Sequence, residues 1–451
     1  MRPDLPLILI VVAVGVALAL FADAPAPVAQ DAGLEAAPEA PDPVDDFLAD
    51  FDPVFADCFG DVAAADAEDA DPEDLDAVVN QVSQRVERLR GLRFKRPVDA
   101  RFLDPEELRE EVEALVEEEL PVAEVRREDQ VLKELGAIPA DGDLEEITTE
   151  ALGSQVAGLY DPTSKELLVQ SSEEVDADEL VTLAHEVEHA LADQTLHLVE
   201  TVSGPAAADR NTAYVALVEG DATLTMELYA LKYVGLDDQL SLGENVPGEE
   251  EFAALPDYVQ RSLLFPYLEG LRFVCHRLAD GGMREIDHAY ADPPAATSQV
   301  IFPDRYGVIE PVKADLPPKP APGWTAVSHR ELGAAELEWL FHAPGGDPLA
   351  SLPEPRRLVF GWAGGELELW RQGDERALAI SLVELPGTGS LCGAVGAWYR
   401  AGWPEATVMP GFGQAELAFA EPGRNAVLAC PGHEIRLGIG PDRATAAALA
   451  R

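Results

Sequence analysis

Apolar residues recur along the chain in several distinct ways, and each predicts a different kind of element. Leu5 to Phe21 is an almost unbroken apolar run, with the length of a signal-peptide core and slightly short for a membrane span. Pro25 to about Asp74 is Ala, Pro, Asp and Glu with few large apolar side chains, a composition that cannot offset its ordering entropy; order is expected only around Phe47 to Phe59. From Leu75 the spacing becomes helical and predicts a helix over Leu75–Leu89, then a strand over Val98–Phe102 and charged helices from Pro105 to about Leu135.

The centre of the chain carries the clearest pattern. Val156–Tyr160 and Lys165–Gln170 flank a turn at Asp161-Pro-Thr-Ser164, which predicts a hairpin. Asp176 and Glu179 form a capping box ahead of Leu180, Leu183, Ala184, Val187 and Leu191, so a helix is predicted over Ala177–Gln194. Long helices follow over Ala206–Val234 and Leu255–Leu278, the second kinked at Pro266, and the central unit closes near Tyr306. A proline-rich joint, Pro311 to Pro322, leads to a tail with strands at Leu367–Arg371, Leu378–Leu385, Glu416–Ala420, Asn425–Cys430 and Glu434–Ile439 and a helix at Leu391–Ala401. The expected organisation is residues 1–24 as leader, 25–74 as an acidic linker or propeptide, 75–310 as the central domain and 324–451 as a smaller α+β domain.

Composition narrows the partners. Acidic residues number 84 against 32 basic ones, a formal charge of −52, which makes nucleic acid an unsuitable partner. Ala22-Asp23-Ala24 offers a cleavage site after the first apolar run, so the body is expected outside the cytoplasm, periplasmic, extracellular or held by an uncleaved anchor. Membrane contact is expected only through that anchor. The four cysteines permit two disulfides in an exported chain, with Cys392–Cys430 the preferred pair, and none has the C-x-x-C spacing of a zinc site.

Candidate chemistry concentrates in His185-Glu-Val-Glu-His189. Two imidazoles at i and i+4 lie on one helix face at the separation a tetrahedral metal accepts, with Glu186 between them able to act as a base. At about 100° per residue the histidines point away from the apolar stripe, toward a cleft or solvent. Thirty residues on, Glu219 sits among Val215, Ala216, Ala222, Thr223 and Met226, where a lone carboxylate costs on the order of several kcal/mol without a cation or strong donors. A metal satisfies it; so would Arg210 or Arg272. His185, His189 and Glu219 together make the catalytic form of a zinc site, one Zn2+ per chain with a position left for water, and Glu186 is the expected catalytic base. His197, His276, His329, His342 and His433 have no partner at ligand spacing.

These residues resemble the gluzincins, zinc peptidases that join a His-Glu-x-x-His helix to a glutamate ligand on a following helix, as in thermolysin-like enzymes. Gly158-Leu-Tyr-Asp-Pro162, the run His185 to Gln194, and Ala216-Leu-Val-Glu-Gly-Asp-Ala222 are similar to a group of exported bacterial metallopeptidases, with Leu264 to Gly270 and Asp292-Pro-Pro294 extending the likeness across roughly Arg90 to Tyr306. The resemblance implies a zincin-like α+β central domain, a peptide or protein substrate lying along an edge strand of the hairpin, and hydrolysis by metal-activated water. It departs at Ser298, where that group carries a glutamate, and at Thr223, where thermolysin-like enzymes carry an aspartate, with Asp221 on the opposite face. Support for the ligands is therefore looked for at Thr223 or Asp221, and an oxyanion donor at Tyr290, His288 or Tyr160. Rival readings are a zinc hydrolase of a non-peptide amide or ester, an inactive zincin-fold binding protein, and a latent enzyme covered by its N-terminal segment.

Overall fold

The computed structural model describes residues 54–60, 62, 74–119, 122–153, 158–170, 175–198, 208–239, 242, 249–317, 319–410 and 415–451. The expected leader, most of the acidic linker, and Val156 and Ala157 of the first hairpin strand lie outside them.

The elements run in the order α1 (Val54–Phe59), α2 (Leu75–Arg90), β1 (Asp99–Leu103), α3 (Pro105–Glu119), α4 (Val122–Leu135), α5 (Leu144–Gly153), β2 (Gly158–Asp161), β3 (Glu166–Gln170), α6 (Ala177–Leu196) and α7 (Ala208–Tyr233). After two short helical turns come α8 (Asp257–Gly281), α9 (Met283–Ala291) and α10 (Thr297–Ile301), then β4 (Thr325–Glu331), α11 (Ala334–His342), β5 (Trp362–Gln372), β6 (Glu375–Glu384), α12 (Leu391–Gly402), β7 (Thr407–Pro410), β8 (Ala415–Glu421), β9 (Arg424–Ala429), β10 (Glu434–Gly440) and α13 (Arg443–Leu449). The fold is mixed α and β.

Two sheets organise it. The small one has the order β1-β3-β2, with β1 parallel and β2 antiparallel to β3, so β2 is an edge strand. The large one, β4-β5-β6-β10-β9-β8-β7, is antiparallel throughout. Helices α2, α6 and α7 pack their apolar faces on the small sheet, with Val82, Val86, Leu167, Val181, Val187 and Tyr229 in that core. A larger core runs without interruption from Val54 and Leu217 through Phe273 to Leu369, Leu382 and Leu437.

The capping box at the head of α6 is present in full: Asp176 accepts from Glu179 N–H while the Glu179 carboxylate accepts from Asp176 N–H. Helix α2 stops at Gly91, whose φ of 73° turns the chain sharply after Arg90. Helix α8 runs as one element through Pro266. Elements that the pattern did not announce are α5, α9, α10, β4, α11, β7 and α13. Strand β4 follows the proline joint at the sheet edge, and its half-exposed face shows no apolar alternation; β7 is four residues long; α11 begins at Gly333 without a side-chain cap.

Both pairs of cysteines are bonded, Cys392 with Cys430 as expected and Cys58 with Cys275. The second bond staples α1 onto α8, where Val54, Phe55 and Cys58 enter the main core. Two such bonds are compatible with an oxidising compartment. Among the described residues no helix is long and apolar enough to cross a membrane.

Candidate metal centre

Helices α6 and α7 pack side by side and bring three candidate ligands together. His185 and His189 stand one turn apart on α6, ring centroids 4.7 Å apart, and Glu219 faces them from α7. Glu219 Oε2 lies 3.1 Å from His185 Nε2 and 3.4 Å from His189 Nε2, and one ligand atom from each of the three lies within 4.8 Å of the others. Of the two arginines weighed as partners for Glu219, Arg272 pairs with Glu269 and Arg210 lies exposed at the start of α7. The carboxylate meets the imidazoles.

The expectation that the histidines face a cleft or solvent is corrected. His185 and His189 are each 1% exposed and Glu186 is fully buried, because α6 is enclosed on every side from Val181 to Gln194. The polar face that the helix's own periodicity assigns to solvent is interior, covered by α7, which itself lies directly on α8 where Gly220 meets Gly270.

The residues fit a divalent cation. Buried polar atoms are normally hydrogen-bonded, yet both ring nitrogens of His189, Glu219 Oε1 and Glu186 Oε1 lack hydrogen-bond partners among the described residues. Three of these atoms belong to His189 and Glu219, which with His185 each bring one ligand atom within 4.8 Å of the others, and the donor set of two imidazoles and a carboxylate suits zinc.

The four side chains shift one another's protonation. Burial pushes the Glu186 carboxyl up to about 8, against the opposing pull of His189 and the Tyr160 N–H. Burial also works to raise Glu219, but the charge of His189 and the close approach of both imidazoles outweigh it and hold the carboxyl down at about 2. His185 is lowered, chiefly by burial, whereas His189 is raised because the nearby Glu219 carboxylate overcomes the same burial.

Strand β2 addresses Glu186. Tyr160 N–H donates to Glu186 Oε2 at 2.7 Å, and Gly158 leaves room for the Glu186 stem, since a Cβ there would fall 3.1 Å from Glu186 Cγ. The Tyr160 phenol donates to Asp193 Oδ2 at 2.7 Å, and Lys165 Nζ reaches Asp193 Oδ1 at 2.9 Å. One oxygen of Glu186 is thus anchored and the other lacks a partner among the described residues.

The remaining candidates lie as follows. Tyr290 donates from its phenol to Asp221 Oδ2 at 3.1 Å, deep in the core. Asp221 is fully buried and also paired with Arg90. Thr223, one turn beyond Glu219, has a buried hydroxyl without a hydrogen-bond partner among the described residues. The His288 side chain is 64% exposed beside Glu285. Residues near the centre that sequence reasoning did not single out are Asp193, Arg90, Glu188 and Tyr267, whose ring lies 6.1 Å from that of His185. Asp193 had a signal, because it follows His189 by one turn on the same face; Arg90 had none.

No family model matches the chain, and no curated protein matches it. A solved structure similar to it is a protein from Chloroflexus aurantiacus provisionally described as a hydrolase with a novel fold, 17% identical, covering 51% of this chain and 86% of that one with a TM-score of 0.33.

Proposed function

We propose that the protein is an exported zinc-dependent hydrolase of zincin-like type that cleaves peptide bonds. The observation that carries the reading is the buried triad His185, His189 and Glu219, with one ligand atom from each within 4.8 Å of the others, and beside it Glu186, one of whose oxygens lacks a hydrogen-bond partner among the described residues. His185, His189 and Glu219 would hold the ion, and zinc supplies Lewis acidity to a carbonyl group and to an attacking water. Glu186 Oε2 stays on the Tyr160 N–H while Oε1 takes the proton from water as its oxygen attacks the carbonyl carbon. The same carboxyl then gives that proton to the leaving nitrogen as the C–N bond breaks. Burial that raises the Glu186 carboxyl to about 8 suits a group that must take and return a proton near neutral pH. Edge strand β2, next to Glu186, is where an extended substrate would pair.

A second reading is favoured by one observation. All four residues of β2 are buried, as are the ligands, and an enclosed site suits a small amide or ester better than a long chain.

The test is metal content by elemental analysis, with hydrolysis of casein, quenched peptides and small amide and ester substrates, on the mature chain and its Glu186→Gln variant. About one zinc per chain in both, with peptide hydrolysis only in the unmodified protein, is the expected result. Hydrolysis confined to the small substrates selects the second reading, and zinc without any turnover selects an inactive binding protein. Absence of zinc from both removes the site.

A further inference from the structure

Behind the candidate metal centre the two ligand-bearing helices share one guanidinium. Helix α2 ends at Arg90, and the left-handed turn at Gly91 takes the chain away immediately, leaving the arginine side chain inserted between α6, α7 and α9. Its exposure is 0%. Arg90 Nε lies 3.1 Å from Glu188 Oε1 on α6, and Nη2 lies 2.9 Å from Asp221 Oδ2 on α7 and 3.0 Å from Asp287 Oδ1 on α9. The Tyr290 phenol adds a bond to the same Asp221 oxygen at 3.1 Å.

The positions of these carboxylates along their helices matter. Glu188 directly precedes His189 and follows His185 by three residues; Asp221 follows Glu219 by two. Between Glu219 and Asp221 stands Gly220, where α7 rests on the backbone of α8 with no side chain between them. Such a contact sets the distance between helices, but it offers no directional group to fix the rotation of α7 or its slide along α6. A planar guanidinium does, because each of its bonds has a defined direction, and a lysine ammonium at the same place is a single point charge. Buried ion pairs are weak sources of stability, and their best-attested use is to specify register.

We propose that Arg90 is a positioning residue of the metal centre, holding α6 and α7 in the register that brings Glu219 onto His185 and His189. The inference rests on the metal reading above. It assigns a role in ligand geometry to a residue that touches neither the ligands nor a substrate, and it makes α2 part of the centre.

The experiment measures zinc affinity by chelator competition, and metal-free Tm, for the full chain and its Arg90→Lys, Glu188→Gln and Arg330→Lys variants. Arg330 is the control: it is likewise buried and holds Glu128 and Glu336 at 2.6 Å, but neither carboxylate neighbours a ligand. Arg90→Lys and Glu188→Gln are expected to bind zinc about 10- to 100-fold more weakly, the usual cost of losing support behind a ligand. Arg330→Lys is expected to lower Tm and leave zinc affinity unchanged. The cobalt-substituted Arg90→Lys protein should also show an altered ligand-field spectrum. Unaltered zinc affinity in Arg90→Lys, or in Glu188→Gln should the lysine variant not fold, overturns the proposal. So does an equal loss in Arg330→Lys, which would make the effect one of general stability. An unmodified chain that binds no zinc overturns the metal reading and this inference with it, whereas zinc bound equally by all overturns this inference alone.

Discussion

Adding a single methyl group at Gly220 tests the geometry of the centre most directly. A Cβ there would fall 2.8 Å from Gly270 Cα and nearer still to the Gly270 carbonyl group, and a Cβ on Gly270 would fall 3.0 Å from the Ala216 carbonyl carbon. Carbon atoms in relaxed contact stand about 3.5 to 4.0 Å apart, so Gly220→Ala forces α7 away from α8 by about 1 Å at the level of Glu219. Overpacking of this kind costs about 1 to 3 kcal/mol, and here the obstacle is backbone on both sides, so the upper end applies. The consequence for the site is larger than for the fold. Metal–ligand distances tolerate only about 0.2 Å of error, and a displacement of about 1 Å at Glu219 exceeds that several-fold. Zinc affinity is therefore expected to fall by at least about 10-fold, with a Tm lower by several degrees. The assay is chelator competition for zinc beside thermal unfolding of the metal-free protein, with Gly282→Ala as a comparison, since a Cβ at Gly282 meets nothing within 4 Å; its strain is one of backbone conformation, with a φ of 79°. A folded Gly220→Ala protein with unchanged Tm and unchanged zinc affinity would refute the close approach of α7 and α8 and the dependence of the ligand on it.

Two further outcomes follow from other parts of the molecule. Cys58→Ser in the full chain, or a chain beginning at Leu75, removes a disulfide that spans 217 residues; a loss of about 5 kcal/mol is expected in the chain-entropy account, read as a lower denaturant midpoint, and an unchanged midpoint would show that α1 is not part of the folded core. Asp209, buried at the head of α7 and bonded by the backbone N–H and the hydroxyl of Thr297, has its carboxyl raised to about 7, chiefly by burial. Between about pH 4 and pH 7 the folded state keeps a proton that the unfolded chain has shed, so this group's contribution to stability falls as pH rises through that window, by about 4 kcal/mol in all. Asp209→Asn, neutral throughout and still an acceptor, should narrow the stability difference between pH 4.5 and pH 8; an identical pH profile in both proteins would contradict the shift.

What the sequence determined by itself is local. The capping box at Asp176 and Glu179 starts α6 because both partners lie within one turn, and the i, i+4 spacing of His185 and His189 places them on one face of any helix formed there. The turn at Asp161 to Ser164 likewise joins two strands that pair with each other. Glu219 was legible as a carboxylate misplaced on an apolar face, a signal of local composition, but only the packing of α6 against α7 decided that it meets two imidazoles rather than an arginine. The burial of the histidine face was decided by tertiary structure alone, because periodicity reports which side of a helix differs from the other and carries no information on what covers the polar side. Strand β4 and the parallel pairing of β1 with β3 depend on partners far along the chain. Arg90 is the extreme case: at the end of a charged helix it reads as an ordinary solvated arginine, and it becomes a buried link between Glu188, Asp221 and Asp287 only when three helices from distant parts of the sequence close around it.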